Sequence, residues 1–481
     1  MIVALYTSRI VLNALGVEDF GLYNVIGGVV GLFSFFRTSM EKATQRFLNV
    51  EMASEGGDTN AVFCVNLSIH IAIAAMIFLL AESIGLWLLN AYINIPVGRE
   101  AAANWVYQSV IISLCMTVIS VPFSACIIAH ERMSFYAFVS ILDALMKLGI
   151  AFMIARYGGD RLILYGWLML AISFINLLLF FLFCRIKYEE TKYHFVRDKQ
   201  RYKSVFKFVG WTMLGQSAIV GTNQGNNILI NLFHGVTSNA AMSIGTQVNS
   251  AIVNLSSNFQ TAFNPQITKS YASGDYKYLL FLISTTTKIS FSLLFIVSLP
   301  ILFNIDWVLS VWLGTVPHYA NVFCVLCVIN GILNALSAPL NFTVMASGRI
   351  RNFQIATSVV YLSDLIFVTI VFLMGMPAYM AMVVKVIIMF FVYGVRLYYA
   401  HKELECLNVG GYLKSVFLPV AVTALASILI AFFLMYFSSS IGGNVVATIC
   451  FTALAFCIVY FVELNGSERD ALKKLIVKKK H

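Results

Sequence analysis

Charge is what this chain has least of. Only 11% of its 481 residues are Asp, Glu, Lys or Arg, where a soluble domain carries about 25%. The shortage extends along the whole length, and 60% of the residues are hydrophobic. That balance excludes a soluble protein. No signal peptide, soluble domain or low-complexity tract interrupts the apolar runs. Nine cysteines are present, but most lie inside those runs as small apolar fillers. Cys324-Val-Leu-Cys327 has metal-like spacing, yet no second cysteine pair or histidine stands near it. The seven histidines are scattered, and no run carries two of them at metal-binding spacing. A glycine-rich phosphate loop, a nucleophile elbow and an acid pair are all missing. These absences argue against an enzyme, a metal centre and a bound cofactor.

Long apolar segments take the place of such motifs. A helix that spans a bilayer needs about 20 mostly apolar residues, and such segments follow one another from end to end. They fall near 21–47, 61–89, 105–129, 135–155 and 162–184, then 208–233, 240–266, 279–303, 320–346 and 353–374. Three more lie near 378–400, 416–437 and 445–462, and a partial one at 1–14. The expectation is an all-α polytopic membrane protein with about fourteen spans. At about 1.5 Å per residue, 1–14 reaches only about 21 Å, short of a hydrocarbon core of about 30 Å. The first span is therefore expected to be truncated.

Lys and Arg residues are distributed unevenly between alternate loops. The stretch 185–207 carries Arg185, Lys187, Lys192, Arg197, Lys199, Arg201, Lys203 and Lys207. The C-terminal tail and the loops on the same side add most of the others, while the opposite loops hold only Arg99, Arg156 and Arg161. By the positive-inside rule the central loop and the C-terminus are expected in the cytoplasm. The formal net charge of +10 is thus topological, with anionic headgroups of membrane lipids as its expected neighbours. Nucleic acid is not an expected partner, because the basic residues are interleaved with spans and form no reading module.

One segment, 225–275, breaks the apolar rule. Within its second helix Gln247, Ser250, Asn254, Asn258, Thr261 and Pro265 recur at steps of three and four, so they share one face. An amide stripe cannot face lipid tails. It must bond neighbouring helices or line a polar pathway. The same segment takes part in an internal repeat. Ile10-Val-Leu-Asn-Ala-Leu-Gly16, a turn, and a helix ending Ala53-Ser-Glu-Gly-Gly-Asp58 correspond in order to Ile228-Leu-Ile-Asn-Leu-Phe-His-Gly235, a turn, and a helix ending Ala272-Ser-Gly-Asp275. Each copy heads about six spans, a plan used by transporters whose substrate site lies between parallel halves. The expected domains are a six-helix lobe at 1–184, a basic cytoplasmic linker at 185–207, a second six-helix lobe at 208–401, and two extra helices with a basic tail at 402–481.

Charged residues inside spans are costly and mark functional positions. Arg9, Arg37, Asp143, Lys147, Lys288, Asp364 and Lys385 are such residues. Asp143 and Lys147, four apart on one helix, are within reach of each other, and Lys147 lies about 18 Å from position 135. Asp143–Lys147 and Asp364–Lys385 also read as structural pairs.

The pieces Tyr6-Thr-Ser-Arg-Ile-Val-Leu-Asn-Ala-Leu-Gly-Val-Glu-Asp-Phe-Gly-Leu-Tyr-Asn24 and 231–275 resemble the polysaccharide-export branch of the multidrug/oligosaccharidyl-lipid/polysaccharide (MOP) superfamily. O-antigen flippases of the Wzx type belong to that branch, and MATE drug exporters are relatives. The resemblance implies a bacterial inner-membrane translocator of undecaprenyl-diphosphate-linked oligosaccharide, working by alternating access between two six-helix lobes. Its partners would be the lipid-linked oligosaccharide, membrane lipids and other polysaccharide-assembly proteins. On that reading Arg9, Arg37, Lys288 and Lys147 are candidates to shelter the diphosphate. Gln247, Asn254, Asn258 and Thr261 would meet the sugars, and Asp143 and Asp364 are candidates for a coupling ion. The alternative is a MATE-like cation-coupled exporter of drugs or metabolites, which would favour buried carboxylates over buried cations.

Overall fold

The computed structural model describes residues 6–463 except 8, 9, 12, 17, 18, 21, 24, 25, 28–33, 55, 88, 90–94, 96, 97, 314, 315 and 437–440. Helix follows helix, with no strand among the described residues. A helix satisfies its backbone polar groups within one segment, as lipid surroundings require. The chain forms two compact units, Met1–Gln216 and Ser217–His481.

In the first unit the described helices are α1 (Ser34–Ala53), α2 (Thr59–Leu80, prolonged by a π-turn Ala81–Gly85), α3 (Glu100–Ala129), α4 (Met133–Arg156) and α5 (Arg161–Lys187). The basic stretch after α5 forms a 3₁₀ turn (Glu189–Thr191) and an extended piece, and then opens α6 (Lys199–Ala272). The second unit holds most of α6, then α7 (Tyr276–Phe303), α8 (Ile305–Leu313), α9 (Ala320–Ser347), α10 (Arg351–Leu373) and α11 (Met380–Glu403). It closes with α12 (Leu418–Tyr436) and α13 (Ile441–Ile458).

Nine helices among the described residues are long and apolar enough to cross a membrane. Of the five remaining expected spans, 445–462 appears as a shorter apolar helix, Thr448–Phe461, and the other four have identifiable reasons for falling outside that number. Segments 1–14 and 21–47 lie partly outside the described residues. The expected spans 208–233 and 240–266 are the two limbs of α6, whose amides and hydroxyls dilute its apolar character. The expected outward loop 304–319 is not irregular throughout, since it contains the nine-residue α8 with Trp307 and Trp312 on its surface. Tryptophan prefers the headgroup layer, where its ring and N–H find different neighbours.

The 74-residue α6 is two helices joined at Gly235, whose φ of 77° and ψ of −178° interrupt the helical backbone. That conformation belongs almost exclusively to glycine. Gly235 is the turn of the second repeat copy, and Gly16, the turn of the first, also has positive φ. The correspondence continues along both units. Gly56, Gly98 and Glu131 mark later positive-φ corners in the first, and Gly274, Tyr319 and Gly348 mark them in the second. Asp58 caps α2 by accepting from the Ala61 N–H, and Asp275 caps α7 by accepting from the Tyr278 N–H. Pro122 lies inside α3 and Pro339 inside α9.

Loop ends of the first unit are clasped by one arginine. Arg99 Nε donates to Asp19 Oδ1 at 2.9 Å, and Nη1 donates to Asp160 Oδ2 at 2.7 Å. Asp160 also caps α5 through the Leu162 and Ile163 N–H groups. Burial opposes the charge on Arg99, but the hydrogen bond and field of Asp19, joined by Asp160, outweigh it and raise the pKa further. Asp19 belongs to the Tyr6–Asn24 piece, and these bonds give that residue a structural role.

Candidate functional site

Four helices of the first unit enclose a polar cavity of about 330 Å³. α1 contributes Arg37 and Glu41, α3 contributes Thr117, Ser120 and Ser124, α4 contributes Asp143 and Lys147, and α5 contributes Asn176. The hydroxyls are oriented by their own helix. Thr117 donates to the Ser113 carbonyl at 2.8 Å, Ser120 to Thr117 at 2.7 Å, and Ser124 to Val121 at 3.0 Å. Their donors are thus occupied, and they present lone pairs to the cavity. Pro122, between Ser120 and Ser124, removes a backbone donor from the same stretch.

The charges on this wall are not equivalent. Lys147 Nζ donates to Asp143 Oδ2 at 2.7 Å, and Asn176 Nδ2 donates to the other carboxylate oxygen at 2.8 Å. Asp143 is engaged on both oxygens. Lys147 spends one of its three donors and leaves 42% of its side chain exposed. Arg37 is also exposed, and no described carboxylate lies within ion-pair distance of it, including Glu41 one turn along α1. Among the described residues, the cavity therefore holds one Asp143–Lys147 pair, one guanidinium outside any ion pair (Arg37) and one carboxylate outside any ion pair (Glu41).

A second polar network lies inside the second unit. Asp364 on α10 is fully buried and accepts from Asn226 Nδ2 on α6 at 2.6 Å. Lys385 on α11 donates to Asn223 Oδ1, one turn before Asn226. The expected Asp364–Lys385 pair is therefore replaced by two amides of α6 that serve the acid and the base separately. Arg396, later on α11, is only 7% exposed. Its guanidinium donates to Asn334 Oδ1 at 3.0 Å, Ser337 Oγ at 2.5 Å and the Tyr361 hydroxyl at 3.2 Å. All three partners are neutral, and among the described residues no carboxylate reaches Arg396. Its Nε has no partner.

The sequence-derived candidates thus fall into distinct settings. Arg37, Lys147 and Asp143 share the first-unit cavity. Arg9 lies outside the described residues. Lys288 is 1% exposed, enclosed in α7 among Thr285, Thr286, Thr287 and Ser292, rather than on an open surface. Asp364 belongs to the buried network. Gln247, Asn254 and Asn258 are exposed along one face of α6, while Thr261 is half-buried and donates to the Ser257 carbonyl at 2.8 Å. The opposite face supplies the interhelical bonds. Gln260 Nε2 donates to the Ala335 carbonyl at 3.2 Å, and Ser256 Oγ donates to the Ser290 carbonyl at 3.4 Å. Cys324 and Cys327 are buried free thiols.

Arg396 is the charged residue that sequence reasoning passes over. It stands four positions before the end of its expected span, where a cation normally reaches back to the headgroups. The detectable signal was an arginine surrounded by tyrosine and aliphatic residues with no acid at helical spacing.

Residues 1–271 match the family profile described as polysaccharide biosynthesis protein. The match covers more than half of the chain, and the chain belongs to that family. No curated protein matches it. Among solved structures it is similar to an outward-facing multidrug resistance MATE family transporter of the MOP superfamily, with a TM-score of 0.71 and 12% identity over 84% of this chain and 92% of that one. A MATE point mutant superposes with a TM-score of 0.74 and 11% identity, covering 86% of this chain and 93% of the other. A MOP superfamily transporter from Pyrococcus furiosus, described by a reverse polarity of its binding pocket, gives 0.64 and 12% identity over 84% and 92%. The fold is shared with these transporters, and the chain is a multi-pass membrane protein of the polysaccharide biosynthesis family.

Proposed function

We propose that this protein flips an oligosaccharide linked to undecaprenyl diphosphate across the bacterial inner membrane, for surface polysaccharide assembly, and that it is not an enzyme. The observation that carries the reading is Arg37, an exposed guanidinium on the wall of a polar cavity with no described carboxylate in reach. A diphosphate must shed water to cross a low-dielectric layer, and a fixed arginine offers it two parallel charge-assisted hydrogen bonds. Lys147, paired with Asp143, lines the same cavity and keeps two donors unspent. The hydroxyls of α3 present acceptors to sugar hydroxyls in that cavity. Family membership supports the same cargo class. The central basic segment and the C-terminus face the cytoplasm on this reading.

Arg37→Gln tests the proposal. A charge at the bilayer centre costs at least about 2.5 to 3.5 kcal/mol on insertion scales, so loss of its partner should lower transport about tenfold or more. Complementation of a flippase-deficient strain, normalised to membrane protein level, should fall while thermal stability holds. Undiminished complementation by Arg37→Gln, or drug resistance conferred without any surface polysaccharide, would overturn it.

A further inference from the structure

At one end of the first unit, three side chains that the transport reading does not use converge. Cys126 lies in the last turn of α3, and its side chain is wholly buried. His130 caps the same helix four residues later, so both residues project from one face. Glu190 arrives from the 3₁₀ turn after α5. The thiol, imidazole and carboxylate donor atoms all lie within 4.8 Å of one another.

We propose that Cys126, His130 and Glu190 form a binding site for a borderline-soft divalent transition metal, with zinc the best match. Sulfur, nitrogen and oxygen donors together suit zinc, whereas magnesium and calcium take oxygen alone. A tetrahedral zinc with bonds of about 2.0 to 2.3 Å requires donors about 3.5 Å apart. His130 Nε2 and Glu190 Oε1 touch directly, and a small outward rotation of the Glu190 side chain admits the ion between them. His130 and Glu190 also line an open cavity of about 560 Å³ whose walls include Asp58 and Glu189, so an ion held by them is reachable from water.

The surroundings hold the donors in place. Tyr188 stacks on the His130 ring, with centroids 4.0 Å apart and planes within 5°. Asn60 Nδ2 donates to the Glu190 carbonyl at 2.5 Å and the Lys192 carbonyl at 2.9 Å. Thr191 Oγ1 donates to the Cys184 carbonyl at 3.1 Å. Such outer contacts orient metal ligands. A metal here would fasten the segment leading into α6 to the end of α3.

Cobalt titration of the purified full-length protein tests the site, because a thiolate ligand gives a charge-transfer band that zinc displaces. One equivalent of Co²⁺ should produce the band, and Cys126→Ser should abolish it. Glu190→Gln, on a partly exposed turn where folding is not at stake, should weaken Co²⁺ and Zn²⁺ binding about tenfold or more. Zinc should raise the melting temperature of the parent protein but not of Glu190→Gln. Cys64→Ser is the comparison, since Cys64 meets the same segment through His194 without joining the cluster, and its band should persist. Absence of the band in the parent protein would overturn the assignment. So would a band lost in Cys64→Ser but kept in Cys126→Ser.

Discussion

Arg396 sits in a neutral cage, and that position has an energetic consequence. A buried cation held only by amide and hydroxyl dipoles is under-compensated, and replacing it with a neutral group of similar shape is often harmless to stability. If the guanidinium serves an anionic headgroup, Arg396→Gln should reduce complementation about tenfold or more while the melting temperature stays level or rises. If it is only a structural tie, melting temperature and activity should fall together. Parallel thermal melts and normalised complementation separate the two outcomes. The in-span charges of Arg37, Asp143 and Lys147 were legible because charged residues are rare in expected spans. Thr117, Ser120 and Ser124 were not, since a serine or threonine in a membrane helix usually bonds its own backbone and signals nothing about which cavity it lines. The direct partners of Asp364 and Lys385, whose charges still act on each other, were hidden for a related reason. Opposite charges on consecutive spans suggest each other, while the uncharged Asn223 and Asn226 of α6 leave no such trace.

Helix α6 shows how two faces of one element divide their tasks. Asn254 and Asn258 are exposed, so Asn254→Leu and Asn258→Leu should leave stability within about 0.5 kcal/mol of the parent yet shift cargo preference. Gln260 is 7% exposed and bonds the Ser256 hydroxyl and the Ala335 carbonyl. Gln260→Leu strands that carbonyl and should cost about 1 to 3 kcal/mol, visible as a lower melting temperature. Equal destabilisation by both kinds of substitution would remove the distinction. The periodicity of the stripe was readable at steps of three and four. Which polar residues of the helix face neighbours was not, because Ser256 and Gln260 are also four apart. The joint at Gly235 gives a further expectation. Ala there would be forced into a region almost restricted to glycine, at about 1 to 3 kcal/mol. Gly221→Ala, in a regular part of α6 with nothing within 4 Å of an added methyl, should be neutral or mildly stabilising. Thermal melts of the two variants should therefore diverge.

At the level of the whole molecule, apolar runs and glycine turns carried the helical plan, and loop charge carried an expectation of sidedness. Reporter fusions after Lys199 and at the C-terminus should register cytoplasm, and fusions near Asn94 and Val316 should register periplasm. A periplasmic signal after Lys199 would reverse the orientation. The repeat was legible at Gly16 and Gly235 and at Gly56 and Gly274, but not at the last two corners, where Gly98 matches Tyr319 and Glu131 matches Gly348 and only the backbone shows the likeness.

Those matching corners let each half act as a template for the other. Gly348 ends α9 at φ 76°, while Glu131 makes the corresponding bend after α3 at φ 59°. The second half thus proposes its own correction to the first. A left-handed backbone costs a non-glycine residue about 1 to 2 kcal/mol, partly offset by the greater freedom glycine has when unfolded. Glu131→Gly should therefore raise stability by about 0.5 to 1 kcal/mol, measurable as an upward shift in melting temperature. The chain carries within itself a second solution to each of its own bends.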